Sequence, residues 1–207
     1  MNFVKLNKHD IDEMLVLQDS IYEFLEQKEV LQKLSRSEFE QGVEQGYTAG
    51  VFVHDQLVAL RTMYIPDLDE DEHLADDVQV PRERSIYSEI SLVHPDHRGQ
   101  GLQTKMGEFL IDQVKASGDF DYIFSTVMPS NLASLKDKFR LGFKIMRTRL
   151  KYNGKRRHIL YLPLNTELTN HGEVIKVKYD NYDWMMNDGQ NYIGWQLEGD
   201  FIDYYNK

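Results

Sequence analysis

Apolar and polar positions along the chain recur with two periods, two and three to four, in alternating blocks. "FVKLN" (residues 3–7) alternates as a half-buried strand does, and "HDIDEMLVLQDSIYEFL" brings Ile11, Met14, Leu15, Ile21 and Leu25 near one face of a helix. "SRSEFEQGVEQ" predicts a second short helix with Ser35 or Ser37 as its cap. "YTAGVFVHD" and "LVALRTMYI" read as a hairpin of two strands, with Asp55-Gln56 at the turn. In "SIYSEISLV" strict alternation turns Ile86, Ser88, Ile90 and Leu92 to one face and Tyr87, Glu89, Ser91 and Val93 to the other. Pro95 ends that strand, because it has no N–H for the ladder.

From Leu102 to Ala116 the helical period returns, with Met106, Phe109, Leu110 and Val114 on one stripe and Gly118 just past the end. "YIFSTVM" is then a short apolar strand stopped by Pro129, so strand, helix and strand form a βαβ unit with parallel strands and a right-handed crossover. "LASLKDKFRL" follows Asn131, a good N-cap, and ends at Gly142 and Phe143. "FKIMRTRLKY" and "RRHILYLPL" flank "NGK", where Asn153-Gly154 suits a type I′ turn. In the first of these, Arg147, Arg149 and Lys151 alternate with Met146, Thr148 and Leu150, a solvated face over a packed one.

The tail, residues 165–207, holds both tryptophans, Trp184 and Trp195, among several tyrosines, which argues for order. "EVIKVKY" reads as a strand, whereas "DWMMNDGQNYIGWQLEGDF" lacks a clean period. The organisation expected is a domain over 1–164 and an extension over 165–207, packed on it or lying at a subunit interface, with a homodimer as one arrangement.

Composition narrows the function. A chain of 207 residues can build one well-buried core. A net charge of −10 argues against a nucleic-acid surface, and no basic amphipathic anchor suggests a membrane. Zero cysteines exclude a disulfide framework, a zinc–thiolate site and a cysteine nucleophile, and make the cytoplasm the default location. No metal is expected: His94 and His97 are three apart across a proline and have no third ligand. "DLDEDEHLADD" (Asp67 to Asp77) holds seven acids and reads as a solvated, mobile loop.

"SLVHPDHRGQGLQ" (Ser91 to Gln103) places two glycines at the mouth of the third helix. A helix N-terminus offers N–H donors and the positive end of a dipole, and bare backbone lets a phosphate come close. A tight turn needing positive φ would use the same residues.

Together, "LVHPDHRGQGL" and "NLASLKDKFRLGF" resemble two motifs of the GNAT superfamily of acyl-CoA N-acyltransferases, with elements in that family's order over roughly 1–164. The resemblance implies an α/β (α+β) fold: a mixed, mostly antiparallel sheet, a central splayed pair of parallel strands and flanking helices. It implies acetyl-CoA as co-substrate, its pantetheine arm pairing with the backbone near Val93. The pyrophosphate would rest on amides from about His97 through Arg98, Gly99, Gln100, Gly101 and Leu102 to Gln103, with Asn131 reaching the cofactor arm. A helix cap alone is the other reading of Asn131. Asp96 departs from the family pattern, which has Arg or Gln there, and is expected to point to solvent. Phe139 departs too, standing where many members carry a tyrosine thought to protonate the leaving thiolate.

The reaction implied is direct attack of an amine on the thioester. A thiol with pKa near 8.5 leaves readily, whereas freeing the lone pair of an alkylamine of pKa about 10.4 at pH 7 costs on the order of 4 to 5 kcal/mol. A base is the greater need. Glu89, a carboxylate in mid-strand on the face of Val93, is the candidate, and Tyr87 the next. A small-molecule or peptide amine is the acceptor class. The rival reading is a catalytically silent acyl-CoA-binding or sensing module with the same fold, to which Phe139 points.

Overall fold

A computed structural model of the chain describes residues 3–170 and 172–207; Met1, Asn2 and His171 lie outside the described residues. The fold is mixed α/β, with mostly antiparallel strand pairing and flanking helices. The chain divides into two compact units, Met1–Ile65 with Tyr87–Asp119, and Pro66–Ile86 with Phe120–Lys207. None of the helices among the described residues is long and apolar enough to cross a membrane.

The first unit holds β1 (Val4–Lys5), α1 (Ile11–Phe24), α2 (Arg36–Glu44), β2 (Thr48–Val53), β3 (Gln56–Tyr64), most of β4 (Ser85–Val93) and α3 (Leu102–Ser117). Its strands pair antiparallel in chain order. Ser35 caps α2 in a reciprocal box with Glu38, which satisfies two orphan N–H groups at once. The β2–β3 turn is His54-Asp55, both at positive φ, one residue before the expected pair, because Val53 and Gln56 already pair. On one face Ile11, Met14, Leu17 and Phe39 bury against Leu57, Leu60, Ile90 and Leu92. On the other, Leu102 and Met106 of α3 bury against Val51, Val58 and Ala59. The buried Gln18 side chain bonds both the N–H and the C=O of Leu34 (2.8 and 2.9 Å), tying the segment before α2 to α1.

The second unit holds β5 (Tyr122–Val127), α4 (Leu132–Arg140), β6 (Lys144–Lys151), β7 (Lys155–Pro163), β8 (Ile175–Lys178), α5 (Tyr182–Met186), β9 (Tyr192–Glu198) and β10 (Phe201–Asn206). Its strands lie in the order β5-β7-β6-β9-β10-β8, every neighbour antiparallel. The β6–β7 loop has three residues, Tyr152, Asn153 and Gly154, all at positive φ between the pair Lys151 and Lys155, not a two-residue turn on Asn153-Gly154. The stretch without a clean period resolves into α5 and the β9–β10 hairpin. β9 meets β6 where Ile145 faces Gly194. A Cβ at Gly194 would lie 3.0 Å from Ile145 and from the Tyr204 ring, so any larger residue would push these neighbours back. Trp184 packs against Tyr192 and Tyr204, with ring centroids 5.4 and 5.0 Å away.

The acidic segment departs from the solvated loop expected of its composition. Residues Leu74–Asp77 form a 3-10 turn that buries Asp77. Its carboxylate receives Arg149 (2.5 Å) and the buried Lys151 (3.0 Å), Lys151 also donates to the Glu72 carbonyl (2.6 Å), and Arg147 donates to the Asp77 carbonyl. The basic face of β6 is therefore not all solvated: opposite charges met across it, and Lys151 was drawn out of water. His158 of β7 is also fully buried, its Nδ1 2.8 Å from the Thr148 hydroxyl, and burial pushes its pKa down to about 3.

Two outcomes follow for stability. Asp77→Ala leaves Lys151 buried without its counter-charge and should cost about 3 to 5 kcal/mol in urea unfolding, while Asp77→Leu combined with Lys151→Leu should recover most of that loss. His158 stays neutral in the native state while the unfolded chain takes up a proton near pH 6.5. Between about pH 6.5 and pH 3 the unfolded state binds more protons, so stability falls as the pH is lowered. From pH 7 to pH 5, wild type should lose about 2 kcal/mol more than His158→Gln in matched urea titrations.

Candidate functional site

The chemistry gathers at the C-terminal half of β4 and the loop that follows it. Along β4, Arg61 faces Ser91 and Thr62 faces Ile90, but Met63 faces Ser88. Glu89 is therefore the extra residue of a β-bulge, a device that re-aims a side chain and interrupts the ladder. The consequence corrects the alternation expected from the sequence. Ile90 packs with α1, whereas the Ser88 hydroxyl accepts from the Arg61 guanidinium, which also reaches α3, so Ser88 and Ile90 do not share a face. Tyr87, opposite Tyr64 in register, is shifted likewise. It is buried with its ring edge-on to Tyr64 at 5.4 Å, so it does not stand one pleat from Glu89 on the face of Val93. Glu89 itself is exposed between buried neighbours.

Beyond the bulge, Val93 pairs with Ala59 and packs beside Leu102 and Met106. The His94 N–H donates to the Val58 carbonyl (2.8 Å), and the chain then makes a 3-10 turn over Pro95–His97. Inside that turn the N–H groups of His97 and Arg98 are already used, on the carbonyls of His94 (2.9 Å) and Pro95 (3.2 Å). The open amides begin at Gly99, two residues later than the sequence suggested. Those of Gly99, Gln100, Gly101, Leu102 and Gln103 meet no acceptor among the described residues, and the Lys105 N–H bonds back to the Gly101 carbonyl at 3.1 Å.

Gly99 and Gly101 both sit in the left-handed region, at φ +77° and +70°. A Cβ on Gly99 would meet nothing within 4 Å, and one on Gly101 would meet only the Lys105 side chain at 3.8 Å. The loop thus presents bare backbone to open space at the positive end of a 16-residue helix, an arrangement suited to an anion. The Arg98 side chain is exposed on the same loop. Asp96 points to solvent, its side chain 83% exposed with one carboxylate oxygen 3.7 Å from His94 Nδ1. In the second unit, Asn131 caps α4 by accepting from the Ser134 N–H (3.1 Å), and Phe139 lies half-buried on that helix.

Arg61 was not singled out from the sequence. Its signal was there, a lone arginine inside the apolar run "LVALRTMYI", and the structure buries it completely beneath the first turn of α3. No group of three or more His, Cys, Asp or Glu among the described residues could hold a metal ion.

Comparison with known proteins adds an independent line. The family model for the acetyltransferase (GNAT) family matches residues 11–143. Among solved structures, the fold resembles yncA of Salmonella typhimurium, a putative acetyltransferase determined with acetyl-CoA (TM-score 0.60, 14% identity, covering 84% of this chain and 99% of that one). It also resembles the diaminobutyrate acetyltransferase EctA of Paenibacillus lautus in complex with L-2,4-diaminobutyric acid and coenzyme A (TM-score 0.59, 14% identity, 81% and 98%). A third is the NatC complex bound to Gag peptide and CoA (TM-score 0.58, 17% identity, 78% and 97%). At these identities the likeness is one of fold. Among curated proteins, none matches the sequence.

Proposed function

The chain belongs to the GNAT acetyltransferase family, and from that premise we propose that it is an N-acetyltransferase that moves the acetyl group of acetyl-CoA to an amine, with Glu89 as the base. The observation that carries this reading is the pairing, on one strand and its loop, of an exposed bulged carboxylate with open amides at a helix N-terminus. The amides from Gly99 to Gln103 and the Arg98 guanidinium would hold the pyrophosphate of coenzyme A, and the backbone near Val93 would pair with the pantetheine arm. Asn131 caps α4. Two relatives of the fold carry an amine substrate or a peptide beside coenzyme A, which supports a small-molecule or peptide amine as acceptor here.

Glu89, directly or through a water, would take the proton from the ammonium form of the acceptor. The freed nitrogen lone pair forms the new C–N bond at the thioester carbonyl, the C–S bond breaks as coenzyme A departs as a thiolate, and the second proton lost by the nitrogen passes to that thiolate or to solvent. With a thiol pKa near 8.5 that departure needs little help at neutral pH, which is why Phe139 in place of a proton donor is tolerable. Phe139 also favours a second reading, a module of this fold that binds acyl-CoA without turnover. Release of free thiol with any amine in a broad panel decides for the enzyme, and binding without release decides for the module.

Gly101→Val places a β-branched side chain at φ +70° and into the space kept for phosphate. Calorimetry on the folded variant should show coenzyme A affinity lower by about tenfold or more, and unchanged affinity would refute the cradle. Glu89→Gln keeps the shape but not the proton acceptor. The kcat should fall by about two to four orders of magnitude with coenzyme A affinity near wild type. An unaltered pH–rate profile would move the role to solvent.

A further inference from the structure

We propose that Arg61 is a positioning residue that holds the phosphate cradle and the Glu89 bulge in register with each other. The proposal rests on the acetyltransferase reading. Arg61 stands in the middle of β3, fully buried, and its guanidinium spans two elements: one arm donates to the Gln103 carbonyl (3.0 Å), the other to the Ser88 hydroxyl (3.1 Å). Gln103 is the second residue of α3, inside the turn whose amides form the cradle. Ser88 is the residue immediately before the bulged Glu89.

A guanidinium is a planar, permanently charged fork, so two bonds from one such group set the spacing of their acceptors closely. Each acceptor lies beside backbone groups that its own element leaves unpaired, the N–H groups of the first turn of α3 and the bulged Glu89. The first turn of a helix lacks part of its hydrogen bonding, and a bulge leaves a residue out of the ladder. Bonding the Gln103 carbonyl orients its peptide unit along the helix axis and adds positive charge near the end of α3 that faces the anion. The Ser88 arm ties down the neighbour of Glu89, limiting how far the carboxylate can swing from the acceptor nitrogen. Being wholly buried, Arg61 acts through these two partners and not by contact with substrate.

The two arms separate in experiment. Ser88→Ala removes only the arm to the bulge; with an amine that wild type acetylates, kcat should fall by about tenfold while the affinity for coenzyme A stays within about twofold. Arg61→Lys keeps the charge but cannot span both acceptors, and should lower both quantities by about tenfold. In the Arg61→Lys background Ser88→Ala should have no further effect, since its partner arm is already gone. Amide hydrogen exchange in ligand-free protein reads the clamp without turnover: the first turn of α3 should exchange faster in Arg61→Lys and as in wild type in Ser88→Ala. Arg61→Lys with wild-type exchange, affinity and kcat would overturn the proposal. So would Ser88→Ala that changes only the melting temperature, which also decides the matter should Arg61→Lys fail to fold. If wild type releases no thiol with any amine, the acetyltransferase reading fails by itself, and unchanged exchange in Arg61→Lys then sinks the clamp separately.

Discussion

A single extra residue in β4 governs how the rest of the site is arranged. In a regular strand, the period of two would have placed Ser88 and Ile90 together on the face buried by α1, and a glutamate between them on the opposite face beside Val93. Inserting Glu89 as a bulge breaks that parity at one point. Ile90 and Leu92 keep their places in the core under α1, Ser88 turns toward Arg61, and Glu89 emerges between buried neighbours. A local defect in pairing thus gives the strand a solvent-exposed carboxylate without opening the core.

The loop after β4 works by a related economy of backbone groups. The 3-10 turn over Pro95–His97 consumes the amides of His97 and Arg98 internally, and two left-handed glycines then carry the chain into α3 with no side chain over its amides. Burying Leu102 and Met106 fixes α3 against the sheet, and Arg61 meets its first turn from beneath. The cradle and the bulge are therefore parts of one packed structure.

In the second unit, charge does what composition suggested it would not. Asp77 leaves an acidic stretch to become a buried acceptor for Arg149 and Lys151, and Arg84 grips Asp121 with two bonds of 2.9 Å. The buried pair of Asp77 and Lys151 adds little net stability compared with apolar packing but penalises strongly the loss of either member, so it specifies an arrangement. The tail joins the same unit through a close contact at Gly194, where a Cβ would crowd Ile145 and Tyr204.

The elements as far as β8, their order and the glycine-rich mouth of α3 were legible in the sequence, because hydrophobic period, helix caps and the demand for positive φ are local properties that a short window of residues determines, whereas α5, β9 and β10 were not. Ser35, Asn131, Gly118 and the proline after β4 act where they were read. The bulge at Glu89, the face of Tyr87, the clamp of Arg61 and the burial of Asp77 with Lys151 were not legible. Each depends on a partner far along the chain: Met63 for the bulge, Gln103 and Ser88 for Arg61, β6 for Asp77. Register between strands and the pairing of buried charges are set by packing, and only the tertiary structure brings those partners together.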